Sequence, residues 1–176
     1  MSRIAYFKGK NMSRGFVKED DQEEAPFIPA RAVLPPGAIN YVTPGGYQKL
    51  LEEKKHLESE LTGLLNIEYD KDRRHTRAIL TGKLNLLNER IASARVIRPE
   101  EQSPGEVRFG AWVRFQTVGG SKIFQIVGAD EADISQNKIA FFAPIARALT
   151  GKKTGEMAEL KLGNKVEKLE IINIEY

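Results

Sequence analysis

Two stretches of the chain repeat their apolar residues with the spacing of a coiled coil. In the first, which begins near Thr43, apolar residues recur every three to four positions, with Lys54 in the one vacant position; in the second the spacing alternates strictly between four and three. Two such seams joined by a short turn predict an antiparallel coiled-coil hairpin over residues 43–98. Thr43 suits a helix N-cap, Pro44 suits the first helical position, and Pro99 ends the second helix. The seam residues are Tyr47, Leu50, Leu57, Leu61 and Leu64, followed by Leu80, Leu84, Leu87, Ile91 and Ala94.

The stretch NIEYDKDRRHTR, residues 66–77, interrupts both seams and occupies the position of the turn. Seven of its twelve residues carry charge. If the two seams pair end to end, Leu50 lies opposite Ala94, and the midpoint of the turn falls at Asp72. The stretch is therefore predicted to form the tip of the hairpin.

Beyond Pro99 the apolar residues change to a period of two. PEEQSPG, residues 99–105, is typical of a linker. VRFGAWVRF and KIFQIV, separated by the turn signal Gly119-Gly120, are predicted strands, and KIAFFA is another. PIARALTG predicts a short helix with Gly151 at its C-cap, and a last pair of strands surrounds Gly163-Asn164. These elements predict an α+β domain over residues 106–176. The buried face of its first strand is predicted to hold Val107, Phe109, Ala111, Val113 and Phe115.

Residues 1–42 do not have the pattern of a folded unit. VKEDDQEEA is an acidic run, and PFIPARAVLPPG holds four prolines. Because proline fixes φ and removes amide donors, the segment is expected to be extended and partly disordered. Met12 is a plausible alternative start.

Composition narrows the class of protein. The chain has no cysteine, so a disulfide framework, a thiolate zinc site and a cysteine nucleophile are excluded. It has no apolar run long enough to span a membrane, and its N-terminus lacks the apolar region of a secretory signal. A cytoplasmic protein with no membrane partner is expected.

Charge is distributed unevenly between the two arms of the hairpin. Residues 73–98 hold seven Lys or Arg and one acid, whereas residues 43–65 hold three bases and four acids. A solvated face with pairing across the arms would account for this arrangement. The alternative is attraction to an anionic surface, either nucleic acid or an acidic protein.

Four motifs lie in order around this hairpin: FGAWVRF, IVGADEAD, FFAPIARALTGKKTGE and the terminal IEY. With them the chain resembles the Gre (GreA/GreB) family of bacterial transcription factors over residues 41–176. The resemblance implies an N-terminal coiled-coil hairpin and a C-terminal domain similar to FK506-binding proteins. It further implies docking on RNA polymerase through the C-terminal domain. The hairpin would enter the secondary channel, where acids at its tip help to hold a magnesium ion that drives hydrolysis of backtracked RNA.

The tip departs from the family pattern in its acids. Family members have a Gly-Asp opening and a Glu-Asn pair, which place an Asp and a Glu three residues apart. Here the acids are Glu68, Asp70 and Asp72, followed at once by Arg73 and Arg74. Two cations weaken the negative field that a magnesium ion requires and offer competing partners.

The hairpin is also shorter than in the family, by about two helical turns per arm, which removes roughly 10 Å of reach. Catalytic positioning tolerates errors of only about 1 Å, so the tip is predicted to be non-catalytic. In the alternative, Asp70 and Asp72 hold the metal as a pair, a spacing awkward on a helix but feasible in a loop.

The docking motif departs as well. Family members have a Ser-Pro pair preceded by Asp ahead of the ARAL helix. Pro144 matches that proline, while Ala143 and Phe142 stand where the serine and the acid would be. The resemblance therefore implies docking through Pro144, Ile145 and Arg147. Alternatively, Pro144 only begins a helix.

The function predicted from these features is that of an RNA polymerase-binding elongation regulator that acts in the secondary channel, probes its surroundings with the tip and does not cleave the transcript. The alternative is a cleavage-stimulating factor. In either case the protein is expected not to be an enzyme and to be monomeric when free. It is expected to need no cofactor of its own, although under the alternative it shares a magnesium ion with the polymerase. Nascent RNA is expected to lie near its tip. Prolyl isomerase activity would rest on fold analogy alone, and a description as DNA-binding would come only through the family. The expected tip contacts are Glu68, Arg73, Arg74, His75 and Arg77.

Overall fold

Two long helices dominate the first half of the computed structural model, which describes residues 25–66, 71–102 and 105–176. Helix α1 spans Pro44–Gly63 and is followed by a 3-10 turn, and helix α2 spans Lys71–Ser93. The start of α1 is as predicted, because Pro44 occupies the first turn and the Thr43 hydroxyl accepts a hydrogen bond from the Gly46 amide at 3.0 Å.

A pair of short parallel strands joins the two ends of this helical hairpin. Strand β1, Asn40–Val42, precedes α1, and strand β2, Ala94–Val96, follows α2. Asn40 pairs with Ala94 and Val42 with Val96. The start of α1 therefore lies beside the end of α2, so the two helices run antiparallel.

The predicted seams pack against one another between the helices. Leu50, Leu57, Leu80 and Leu87 are buried, and the remaining seam residues pack around them. The position of the turn was predicted wrongly. Asp72 already belongs to α2, which begins at Lys71, and the buried leucines are placed symmetrically about a point between Asn66 and Lys71.

The base of the hairpin differs from the sequence prediction at both ends. Helix α2 ends at Ser93 and not at Pro99, because the next residues pair with β1 as a strand. The Asn40 side-chain amide donates to the Arg90 carbonyl at 2.9 Å and so satisfies an acceptor in the last turn of α2. Strand β1 lies within the segment expected to be extended and partly disordered, yet Val42 is 1% exposed. The expectation of an extended chain is confirmed for this strand, but the expectation that it takes no part in the fold is wrong.

Residues 25–39 form what we call the N-terminal strap, an extended segment that lies along the hairpin. Ile28 packs directly over Gly82 of α2, and Arg31 reaches Glu53 of α1. A turn at Pro35, whose carbonyl accepts from the Ala38 amide at 3.0 Å, leads into β1. The four prolines keep the chain extended as expected, but the strap packs on the molecule. The acidic run of residues 17–24 lies outside the described residues.

The C-terminal part is a five-stranded sheet with one short helix, and the α+β class is confirmed. The strands are β3 Trp112–Thr117, β4 Gly120–Val127, β5 Lys138–Ala140, β6 Met157–Leu162 and β7 Lys165–Glu175. The sheet order is β5-β4-β3-β7-β6, with β4 and β5 parallel and the other neighbours antiparallel. Helix α3, Pro144–Leu149, packs against β6. The core between helix and sheet includes Phe115, Ile126, Leu149 and Ile171.

The first predicted strand of this domain begins later than its alternating pattern indicates. Gly110 has a φ of +88°, which an extended strand does not accommodate, so β3 begins at Trp112. Val107 is nevertheless fully buried, and its amide donates to the Lys152 carbonyl at 2.7 Å. Alternation thus located the apolar face correctly and the strand boundary wrongly.

Within the described part of the chain, no helix is both long enough and apolar enough to cross a membrane.

Candidate functional site

From Lys71 onward, the charged stretch predicted as the tip forms the first two turns of α2. Asp72 and His75 are exposed on the helix, and Glu68 and Asp70 lie outside the described residues. The prediction that the whole stretch occupies the turn is wrong from Lys71 onward, where the chain is helical. An aspartate in the first turn of a helix is favourable in itself, because its charge opposes the positive end of the helix dipole. Asp72 thus has a structural reason to be there that requires no metal.

The described residues contain no group of three or more His, Asp or Glu side chains placed to hold a metal ion. Asp72 is followed in the helix by Arg73 and Arg74. The predicted pairing of Asp70 with Asp72 stays a prediction, since the position of Asp70 is not described.

The basic residues of the tip border a groove on one face of α2, which we call the basic groove. Arg74, Ala78 and Gly82 recur every four residues and therefore lie on one face of the helix. The groove has a volume of about 470 Å³. The groove is open over Ala78, whose side chain is small and exposed, whereas Ile28 of the strap covers Gly82 at its other end. It is completed by Arg73, Arg77, Thr81 and Asn85.

The three predicted docking residues lie on α3 and differ in how they are presented. Pro144 occupies the first turn of the helix and is exposed, which agrees with its expected role as a helix start. Ile145 packs against the core of the sheet domain, and so contributes less surface than expected. Arg147 is exposed on the next turn and lines a cleft of about 740 Å³ between the sheet domain and the base of the hairpin.

That cleft contains an aromatic cluster built around Tyr41, whose packing was not predicted from the sequence. The ring of Tyr41 lies 5.8 Å from Phe109 and 5.6 Å from Phe141, and the Phe141 ring is 5.2 Å from Phe142. Such tilted and edge-on contacts are favourable between aromatic rings. Tyr41 comes from the strand before the hairpin, so the cluster joins the two parts of the molecule. Arg95, Arg108 and Arg147 also line the cleft.

A second junction, also missed, consists of ion pairs around Asp130. The Arg31 guanidinium of the strap contacts Glu53 at 2.8 Å and Asp130 at 3.1 Å. Arg90 of α2 lies 3.0 Å from the other oxygen of Asp130, close enough for an ion pair but not aligned as a hydrogen bond. The pKa of Arg31 is raised, chiefly by the hydrogen bond to Glu53 and also by the negative charge of Asp130. Burial of the guanidinium group lowers the pKa but does not cancel this effect. One carboxylate of the sheet domain therefore holds both the strap and the hairpin.

The neighbouring Glu131 makes a third junction at the start of α1. One of its oxygens accepts from the Thr43 amide at 2.9 Å and from the Gly128 amide at 3.2 Å. The other accepts from the Thr43 hydroxyl at 2.5 Å. The helix N-cap is thus fixed by a residue far away in sequence. The motif IVGADEAD contains both acids, but nothing in the sequence alone indicates what they contact.

Comparisons with known proteins come from both sequence and structure. The model of the C-terminal part of GreA/GreB transcription elongation factors matches residues 101–176. A protein of Thermodesulfovibrio yellowstonii named transcription elongation factor GreA is 34% identical over 152 residues, covering 77% of this chain and 96% of its own length. A protein of Christiangramia forsetii with the same name is 31% identical, with the same coverage of both chains.

Among solved structures, the GreA factor homolog 1 (Gfh1) protein of Thermus thermophilus is 20% identical, with a TM-score of 0.36. The match covers 79% of this chain and 100% of that one. A GreA/GreB elongation factor from Nitrosomonas europaea is 24% identical, with a TM-score of 0.37, over 77% of this chain and 98% of that one.

Proposed function

Because this chain belongs to the GreA/GreB family of transcription elongation factors, we propose that it binds RNA polymerase and regulates elongation through the secondary channel, without stimulating transcript cleavage. The helical hairpin enters the channel, and the sheet domain docks outside it. In this role the protein is not an enzyme, needs no cofactor of its own and binds as a single chain.

The observation that carries this proposal is the chemistry of the tip. Asp72 lies within a helical turn beside Arg73 and Arg74. A magnesium ion is reluctant to release its waters and needs a strongly negative site, which neighbouring guanidinium groups weaken. The exposed cations of α2 suit contact with anionic groups, either acidic side chains of the channel or RNA phosphates. Arg74, His75 and Arg77 are exposed, and we assign them to that contact together with Arg73. Glu68, which lies outside the described residues, stays a predicted contact.

We infer that the sheet domain docks through the start of α3. Pro144 is exposed in the first turn of this helix and Arg147 one turn later, so both can contact one surface. Ile145 supports the helix from the core side. The hairpin is taken to be a coiled coil, since its buried leucines follow the heptad spacing, and the sheet domain to be FKBP-like, as the family resemblance implies.

Cleavage of RNA in a stalled, backtracked polymerase complex, with magnesium and with or without this protein, tests the proposal. We expect binding to the polymerase and an unchanged cleavage rate. Faster shortening of the RNA would favour the alternative, a cleavage-stimulating factor. In that case Asp70→Ala with Asp72→Ala should abolish the stimulation, whereas Glu58→Ala with Glu60→Ala, exposed acids of α1, should not.

The basic arm makes the association with polymerase sensitive to salt. Attraction between exposed charges is screened within about 8 Å at physiological ionic strength. We expect the affinity to fall as salt is raised, and Arg77→Ala to reduce this dependence. An affinity that is the same at low and high salt would exclude charge attraction as the basis of the contact.

A further inference from the structure

The path of the N-terminal strap leads towards the basic groove. Arg90 donates to the Ala32 carbonyl, and Ile28 packs over Gly82. Between these two contacts the strap advances four residues while α2 advances eight towards the tip, or about 12 Å at 1.5 Å per residue. The strap therefore covers about 3 Å per residue, close to the length of a fully extended chain.

The helix face under the strap continues into the basic groove. Ser93, Arg90 and Leu86 lie beneath the strap residues nearest the base, and Gly82 lies beneath Ile28. A Cβ at Gly82 would lie 2.1 Å from the Ile28 side chain, so glycine is what allows the strap to pass so close to the helix. The next residue on this face towards the tip is Ala78, which is also small.

The segment that precedes the strap carries the charge opposite to that of the groove. Ala25 is the first described residue. If the strap keeps its course at about 3 Å per residue, the three steps from Ile28 carry the chain roughly 10 Å further towards the tip, to the level of Ala78 and Arg74. Immediately before it the sequence reads KEDDQEE, with a single lysine. The carboxylates of this segment are Glu19, Asp20, Asp21, Glu23 and Glu24.

We propose that the acidic segment, residues 19–24, binds the basic groove of its own α2. Its attachment through the strap gives it an effective concentration near millimolar, so modest charge attraction is enough to hold it there. The docking requires only this chain. Its consequence rests on the proposed function, because the covered residues Arg74 and Arg77 are the ones assigned to the channel. The segment then acts as a competitor that an anionic target must displace.

Disulfide cross-linking in the full-length chain tests the docking. The protein has no cysteine, so each introduced pair is unique. Gln22→Cys is combined either with His75→Cys on α2 or with Thr62→Cys, an exposed position at the same distance from the turn on α1. Because a disulfide requires Cβ atoms about 4 Å apart, the α2 pair should form at least tenfold faster at low salt, and the difference should vanish in about 1 M salt. Equal rates for the two pairs at low salt would overturn the proposal.

Binding to heparin, a soluble polyanion, gives an independent test. Neutralising the acidic segment by Glu→Gln and Asp→Asn substitutions should raise the affinity about tenfold more than the same number of neutralised acids elsewhere, because only the segment shields the groove. An equal effect of both variants would reflect net charge alone and would overturn the proposal. Neither measurement uses RNA polymerase, so a failure to bind polymerase would count against the proposed function and not against this docking. The matched control neutralises Glu100, Glu101, Glu159, Glu167 and Glu170.

Discussion

At the scale of single residues, the start of α1 depends on a carboxylate that has little freedom to move. Glu131 accepts hydrogen bonds from the backbone and hydroxyl of Thr43 and from the Gly128 amide. Its side chain fills the space beside Gly46, where a Cβ would lie 2.0 Å from the carboxyl carbon. Gly46 is therefore required for a close approach and not for its own backbone freedom.

Gly46→Ala is expected to destabilise the protein, although alanine is the better helix former by about 1 kcal/mol. Its methyl group would displace Glu131 and break the hydrogen bonds of the N-cap, at a net cost of about 1–3 kcal/mol in the free energy of unfolding. The matched control is Gly45→Ala, where the nearest atom is 3.9 Å away and the change should be neutral or stabilising. Urea denaturation of both variants measures the difference. Equal stabilities would show that Glu131 moves aside freely.

A second carboxylate gives a prediction about pH. The hydroxyl and backbone amide of Ser135 and the side-chain amide of Gln136 donate to the carboxylate of Asp133, and these bonds lower the pKa of this group. Because the pKa in the folded state is below that of the unfolded chain, the stabilisation is present above pH 3.8 and is lost as the pH falls through the folded-state value. The stability difference between the wild type and Asp133→Ala should thus shrink on acidification. Thermal unfolding at several pH values below 5 measures it, and a difference independent of pH would contradict the assignment.

At the scale of elements, repeats in the sequence located the helices and strands well, and their boundaries less well. The period of apolar residues depends on the local backbone, so the seams around Leu57 and Leu80 could be read directly. The end of α2 depends on Asn40, whose side-chain amide donates a hydrogen bond to the Ser93 hydroxyl at 3.1 Å. The two residues are more than fifty positions apart in the sequence. No local pattern reports a contact of that kind. The strap was missed for the same reason, since its proline-rich composition indicates an extended chain but not the surface that it covers.

Gly82→Ala is expected to loosen the strap while leaving α2 intact. The new methyl group would overlap the Ile28 side chain, which must move away from the helix. Hydrogen exchange of residues 27–34 should therefore become faster, even though the helix itself gains about 1 kcal/mol in intrinsic propensity. In Gly63→Ala, by contrast, the added Cβ has no atom within 4 Å, and strap exchange should not change. Unchanged exchange in both variants would mean that Ile28 does not anchor the strap.

At the scale of the whole molecule, Asp130 holds three parts together. Its carboxylate is 7% exposed and faces Arg31 of the strap and Arg90 of α2. The linker composition of residues 99–105 does not by itself fix the angle between the hairpin and the sheet domain. The contacts of Asp130 and the stacking of Tyr41 on Phe109 and Phe141 instead join the hairpin base to the sheet domain.

Asp130→Ala is expected to broaden the distribution of distances between the hairpin and the sheet domain. It leaves two partly buried guanidinium groups without this partner, at a cost of about 1–3 kcal/mol. Spin labels at Thr76→Cys and Lys161→Cys, both exposed, report the distance without interference from native cysteines. Asp133→Asn is the matched control, because the hydrogen bonds of that side chain stay within its own turn. Identical distributions in the wild type and Asp130→Ala would assign the junction to the aromatic cluster and to the hydrogen bonds of Glu131.

The candidate site was only partly predictable from sequence, for a physical reason. The cations Arg74 and Arg77 are exposed, as their place in a polar stretch of an amphipathic helix indicates. Whether the acids of the tip meet depends on where the turn lies, and end-to-end pairing of the seams placed it too late. The contacts of Tyr41 and Arg31 were not predicted, because both residues belong to the segment in which no packing was expected.

The parallel strands β1 and β2 also bear on how a protein of this kind can diversify. They clamp the two ends of the hairpin together at Asn40–Val42 and Ala94–Val96, so everything between them is an appendage on a closed base. Seven residues added to or removed from each helix would keep the leucine seam in step and shift the tip by about 10 Å. The length of the hairpin can thus change in evolution by whole heptads, while the paired strands at its base and the sheet domain keep their structure.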